Sequence, residues 1–128
     1  MAIAKPEELL LMFLILTTLY GTSISTFYKV GDSAGWSIPG SSDYRSWSSS
    51  KTFVVGDTIL FQYDQQLHNV LLVHLHDYHS CNVNTPIATY TTGNDSFFIG
   101  KHGHYLFICG IPGHCEAGQK LDVRVPNS

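Results

Sequence analysis

Residues 119–125 alternate without a break: Leu121, Val123 and Val125 fall on one side of an extended chain, Lys120, Asp122 and Arg124 on the other. A period of two marks a half-buried strand, because a helix would repeat its apolar residues at three and four. Once one strand of this kind is present, the rest of the chain must supply partners for it. The candidates are short. Residues 57–63 and 69–75 are apolar, β-branched runs separated by the polar turn Asp64-Gln-Gln, and residues 96–99 and 104–109 flank Gly100-Lys-His-Gly. Gly31-Asp, Pro39-Gly, Gly56-Asp and Gly93-Asn supply turns between such runs. No long stretch has helical periodicity, and residues 42–50 suit a short helix or turn. Many short strands with frequent turns predict an all-β sandwich or barrel with one or two short helices.

A chain of 128 residues is the size of one domain. Charged residues make up 13% of it, about half the usual share, so few side chains are committed to a solvated charged surface. The net charge is −3 and no run of Lys or Arg occurs, which removes the electrostatic footprint of a nucleic-acid binder.

Residues 1–25 differ from the rest. Lys5 precedes the apolar run Leu9-Leu-Leu-Met-Phe-Leu-Ile-Leu, which fades into Gly21-Thr-Ser-Ile-Ser. This is the layout of a secretory signal peptide, with Ser23 and Ser25 at the −3 and −1 positions of a cut after Ser25. The run is shorter than the roughly 20 residues of a membrane-spanning helix. Residues 26–128 then form the exported domain, expected without a tail-processed lipid anchor and as a soluble, secreted, extracellular monomer. Export puts the three cysteines, Cys81, Cys109 and Cys115, in an oxidising compartment, where an odd number leaves one thiol to be explained.

The stretch Cys109-Gly-Ile-Pro-Gly-His114-Cys115-Glu-Ala-Gly-Gln119 offers an explanation. A cysteine, a histidine and a glutamine share one Gly/Pro-shaped loop between two expected strands, and His68 stands upstream at the start of His68-Asn-Val-Leu-Leu-Val. Two imidazoles and a thiolate with a weak axial Met or Gln are the donors of a blue-copper electron-transfer site. Copper alternates between Cu(II), which favours nitrogen and oxygen, and Cu(I), which favours soft sulfur, and this mixed set serves both. If Cys109 binds copper, Cys81 and Cys115 remain for a disulfide; three cysteines by themselves permit three pairings, including a local Cys109–Cys115 staple.

The chain resembles a plant phytocyanin in Val30-Gly-Asp-Ser-Ala-Gly-Trp36, Tyr44 to Trp47, Lys51-Thr-Phe-Val-Val-Gly-Asp57, His68-Asn-Val70, Tyr78-His-Ser-Cys81 and Cys109 through Leu121. Gln119, where many members carry Met, makes it similar to the stellacyanin branch. The resemblance implies a Greek-key β-barrel or sandwich of cupredoxin type. It also implies one type 1 copper ion at His68, Cys109, His114 and Gln119, a disulfide between Cys81 and Cys115, and ligand imidazole edges near the surface. The implied function is one-electron transfer without catalysis, with an unidentified redox protein or small extracellular reductant or oxidant as partner, in the apoplast or at the wall or membrane surface.

Other features have simpler readings. His74 and His76, two apart on one expected strand, and His102 and His104 at the same spacing, could chelate a metal weakly; solvated polar faces explain them better. Trp36, Trp47, Phe53, Phe61, Tyr63 and Phe107 are expected in the core. Asn94-Asp-Ser96 is a glycosylation sequon in a turn-rich segment. Zinc at the same donors, with Glu116 as a general base, is one rival function. A Cys-His protease lacks its flanking signatures. A secreted interaction protein with incidental copper redox activity is the other rival.

Overall fold

A computed structural model describes residues 24–38 and 43–127, together with Lys5 and Glu7. The expected signal segment lies outside the described residues except for Lys5, Glu7, Ile24 and Ser25, and so does the Pro39-Gly turn. Seven strands follow in order: β1 (Phe27–Lys29), β2 (Thr58–Gln62), β3 (Val70–Val73), β4 (Ala88–Tyr90), β5 (Asn94–Phe98), β6 (Gly103–Ile108) and β7 (Lys120–Val125). Two one-and-a-half-turn helices, α1 (Tyr44–Ser49) and α2 (Leu75–Ser80), and a single 3-10 turn at Asp32–Ala34 complete the described elements. The expected all-β architecture is observed.

The strands form two sheets, one ordered β1-β2-β5 and one ordered β4-β3-β6-β7. In the first, β1 runs parallel to β2, and β5 antiparallel; every pairing in the second is antiparallel. Alternation decides which side chains enter the sandwich. Ile59 and Phe61 point inward from β2, and Leu121, Val123 and Val125 from β7, meeting Trp36, Val70 and Phe107 in one core. Phe61 and Phe107 close the space between the sheets with ring centroids 4.9 Å apart. Trp36, Trp47, Phe53, Phe61 and Phe107 are all buried, and Tyr63 packs partly buried against them, as expected of core aromatics.

Strands β3 and β6 break the alternation for a physical reason. Their second face is also covered, so a strand buried on both sides reads as a continuous apolar run. Leu71, Val73, Leu106 and Ile108 turn away from the main core into a second cluster that includes Cys115 and, at its margin, Tyr78 and Cys81. Helix α2 and the disulfide roof this cluster.

The same double coverage hides the end of β3. The expected strand over residues 69–75 stops at Val73; His74 is the N-cap of α2 and His76 lies within the helix, so the two histidines do not share a strand face. Asp77 holds the turn in place, accepting hydrogen bonds from Asn82 Nδ2 (3.1 Å) and Thr85 Oγ1 (3.0 Å). Cys81 ends the helix in the left-handed region at φ 53°, its N–H donating to the Asp77 carbonyl. The other pair separates too. His102 lies in the turn before β6 with Nδ1 2.7 Å from the Pro126 carbonyl, while His104, on β6, is bound to Asp122.

Candidate metal centre

Strand register brings distant residues to one end of the second sheet. Leu71 pairs with Ile108 in the β3–β6 ladder, so the residues just before β3 lie beside those just after β6. Ile108 pairs with Lys120 in the β6–β7 ladder, and one step further the Cys109 N–H donates to the Gln119 carbonyl at 3.0 Å. His68, Cys109 and Gln119 therefore converge as a consequence of pairing alone. The loop between Cys109 and Gln119 folds back to add His114: its N–H donates to the Ile111 carbonyl (3.1 Å), and its carbonyl accepts from Gln119 N (3.0 Å). Gly113, at φ 83°, makes the reversal; nothing crowds a side chain there, so the backbone angle alone calls for glycine.

His114 Nδ1 is the hub of the resulting cluster. It lies 3.3 Å from His68 Nδ1, 3.6 Å from Cys109 Sγ and 3.1 Å from Gln119 Oε1. Both imidazoles thus turn the same nitrogen inward. His68, Cys109 and His114 form the one group of three or more His, Cys, Asp or Glu residues among those described whose donor atoms lie close enough to share a metal ion, all within 4.8 Å of one another. Cys109 and Gln119 are fully buried, His68 nearly so and His114 half-buried. Cys109 is a free cysteine, and the disulfide joins Cys81 to Cys115 with Cα atoms 5.7 Å apart. That pairing selects one of the three the cysteine count allowed, and it ties the loop beside His114 to the end of α2.

Burial disfavours the charged forms of His68 and Cys109. Burial, reinforced by the neighbouring His114, holds the His68 pKa below the ordinary imidazole value. Burial likewise pushes the Cys109 thiol up. Gln119 Oε1 can only accept and each ring nitrogen donates or accepts according to its tautomer, so these four atoms cannot all be hydrogen-bonded to one another at once. Gln119 Nε2 is also buried without a hydrogen-bond partner, the one such side-chain atom among the described residues. A buried amide normally uses its N–H groups; this one keeps its oxygen aimed at the cluster. Two imidazoles, a thiol and an amide oxygen around one point fit a type 1 copper ion, whose charge would deprotonate the thiol.

Asn69 was not singled out as a site residue, and it braces the cluster. Its Oδ1 accepts from Gly110 N at 2.6 Å and lies 3.8 Å from Cys109 Sγ, while its carbonyl accepts from Trp36 Nε1 at 2.8 Å. A side chain at Gly110 would come within 2.8 Å of Leu71 Cδ1 and 3.0 Å of Asn69 Oδ1. Only the His-Asn-Val pattern hinted at Asn69, and nothing in an amide side chain announces a bracing role. Glu116, the expected base of a zinc hydrolase, is exposed and outside the group of potential ligands. Asn94 opens β5 on the exposed face, its Oδ1 accepting from Gln62 Nε2 at 3.0 Å.

Comparison with known proteins bears on this arrangement. Residues 36–119 match the plastocyanin-like domain family. The chain belongs to the phytocyanins. It is 48% identical over 103 residues to stellacyanin of Toxicodendron vernicifluum, covering 78% of this chain and 96% of that protein. It is 42% identical over 126 residues to a blue copper protein of Pisum sativum, covering 98% of this chain and 66% of the relative. Among solved structures, cucumber stellacyanin with Cu2+ superposes with a TM-score of 0.72 at 34% identity, covering 81% of this chain and 97% of that one. The sandwich is accordingly a cupredoxin fold, as the resemblance implied.

Proposed function

We propose that His68, Cys109 and His114 hold the copper of this phytocyanin, with the Gln119 amide oxygen as the fourth donor. The observation that carries this reading is the convergence of two Nδ1 atoms, one free thiol and one amide oxygen on a buried point. The chain is a type 1 copper protein that carries single electrons, and copper when bound supplies the couple between Cu(I) and Cu(II). The residues do the rest. Cys109 supplies the thiolate, and the imidazoles of His68 and His114 supply two neutral nitrogens in fixed orientation. Asn69 and the paired strands hold the donors still, so little rearranges as charge changes. Gln119 offers a harder donor than a thioether, which favours the oxidised ion and lowers the potential relative to Met. The half-exposed His114 ring gives electrons the shorter way out. No bond in a substrate is made or broken, so the chain is a carrier and not an enzyme.

Residues 1–25 are read as a cleaved signal peptide and residues 26–128 as the exported domain. The apolar run supports this, together with a disulfide of the sort that persists outside the cytosol. The described residues contain no helix long and apolar enough to cross a membrane. The partner is another redox protein or a small extracellular reductant or oxidant, met by a monomer in the apoplast, and Asn94 is available for N-glycosylation. Family membership favours the electron carrier over an interaction protein with incidental copper.

The visible spectrum of the copper-loaded protein tests the site. An intense blue charge-transfer band that disappears in Cys109→Ser is expected. A colourless protein that takes up zinc stoichiometrically and copper only weakly would overturn it.

A further inference from the structure

The cations of this chain are segregated. Residues 26–128 carry six Lys and Arg against eight Asp and Glu. Four of the six, Arg45, Lys51, Lys120 and Arg124, line two clefts that lie between α1, α2 and β7 and share Arg45, Tyr78 and His79. Two carboxylates, Asp43 and Asp122, line them, and Glu116 stands near enough to Lys120 to act on its charge; away from the clefts two cations remain with five carboxylates. A protein that is acidic overall therefore has one cationic groove. The clefts hold about 520 and 440 Å³, and their three shared residues make them adjoin.

Both carboxylates are already engaged. Asp43 caps α1, accepting from Arg45 N and Ser46 N. Asp122 receives Arg124 Nη2 at 3.3 Å and also His104. Lys120 is partly spent as well, donating to the Tyr78 carbonyl at 2.6 Å with its ammonium 4.2 Å from the Tyr78 ring centre. What remains is the Arg45 guanidinium, which has no ion pair among the described residues, the ammonium of Lys51 above Trp47, and the outer edge of Arg124, whose side chain is 76% exposed. These flank the Tyr78 phenol, whose pKa is raised, first by burial and then by Asp122, while Arg45 and Arg124 pull it the other way. Ser48 and Ser49 also line the groove; their hydroxyls donate to the Asp122 and Ser46 carbonyls and are left to accept from a ligand.

We propose that this groove binds an extended, carboxylated polysaccharide. Planar guanidinium groups match carboxylates with paired hydrogen bonds, which favours carboxylates over a diffuse anionic surface. Hydroxyl and phenol groups between the cations suit a polyol chain. A pair of adjoining surface clefts with mixed polar and aromatic lining suits a sugar polymer lying across them, whereas compact ligands take enclosed, mostly apolar pockets. The choice of a saccharide over a nucleic acid rests on the extracellular reading above. The groove runs beside the Cys109–Gln119 loop at Ala117 and Gly118, so a bound polymer would hold the redox centre close to the matrix it forms.

The test titrates the copper-loaded protein with a polygalacturonate oligomer, by calorimetry, in low and in physiological salt. The double variant Arg45→Gln/Arg124→Gln is expected to bind about tenfold more weakly or worse, the loss of two charge-assisted contacts. The control Lys29→Gln/Lys101→Gln removes the same charge from outside the groove and is expected to change affinity less than about twofold, since only long-range attraction is altered. The methyl-esterified oligomer is expected not to bind. Equal losses in the two double variants, equal binding of the methyl ester, or preferential binding to phosphatidylserine vesicles would each overturn the proposal. The blue absorption of every variant reports that the fold and copper site persist, so a failed titration is separable from failure of the copper reading.

Discussion

At the residue scale the copper reading depends on which atoms of ordinary side chains are left unpaired. Gln119 is the sharpest instance, with Oε1 turned to the donors and Nε2 buried alone. Gln119→Met exchanges a hard oxygen for a soft sulfur, and the reduction potential measured by protein-film voltammetry is expected to rise. An unchanged potential would remove Gln119 from the donor set. Asn69 acts at one remove. Asn69→Ala deletes the acceptor of the Gly110 N–H and leaves that half-buried group unpaired, which costs about 1–3 kcal/mol in urea unfolding of the metal-free protein. Because the bond also positions Cys109, the blue band of the same variant is expected to shift or broaden. A purely structural residue elsewhere in the sheet would lower stability and leave the band alone. Cys109, His114 and Gln119 were legible because one loop carries all three. Asn69 was not, since its role exists only once β3 and β6 are paired.

At the scale of elements, legibility followed coverage. Strand β7 alternates because one face is core and the other solvent, and the sequence pattern predicted it to within a residue. The β3–α2 boundary was missed because Leu75 continues the apolar run of β3, although it is 51% exposed on the helix. What stops the strand is Asp77, and its hydrogen bonds belong to the folded state. Bonds from His76 and Thr85 first, and Asn82 after them, hold the Asp77 carboxyl below its ordinary 3.8. A carboxylate depressed on folding stabilises the native state fully above its unfolded pKa, and that contribution is lost as pH falls through the folded value. The metal-free protein is therefore expected to lose urea resistance between pH 4 and lower values more steeply than its Asp77→Asn variant. Parallel decline of the two would remove Asp77 as the source. The disulfide anchors the same helix. Replacing Cys81 and Cys115 together by Ser opens a 34-residue separation and is expected to cost about 3–4 kcal/mol on chain-entropy grounds.

At the scale of the whole molecule, the sandwich and the site are coupled through the ends of three strands. His68 precedes β3, Cys109 follows β6 and Gln119 precedes β7, so an ion held as proposed by all of them would clamp the open end of the second sheet. The unfolded chain keeps these donors far apart, with His68 and Gln119 separated by about half of the domain. A ligand that binds the native state alone stabilises it by an amount that grows with the logarithm of its concentration over its dissociation constant, about 4 kcal/mol at a thousandfold excess. Stoichiometric copper is therefore expected to raise the melting temperature measured by circular dichroism by several degrees or more. In Cys109→Ser most of that rise is expected to vanish, because a hydroxyl is a far poorer donor than a thiolate. The metal-free Cys109→Ser protein should melt close to the metal-free parent, since the two side chains differ little in size and the Asn69 brace to Gly110 does not involve sulfur. If copper stabilised both proteins equally, the ion would be binding elsewhere, for instance at the exposed histidines of α2, and the strand-end clamp would have to be abandoned.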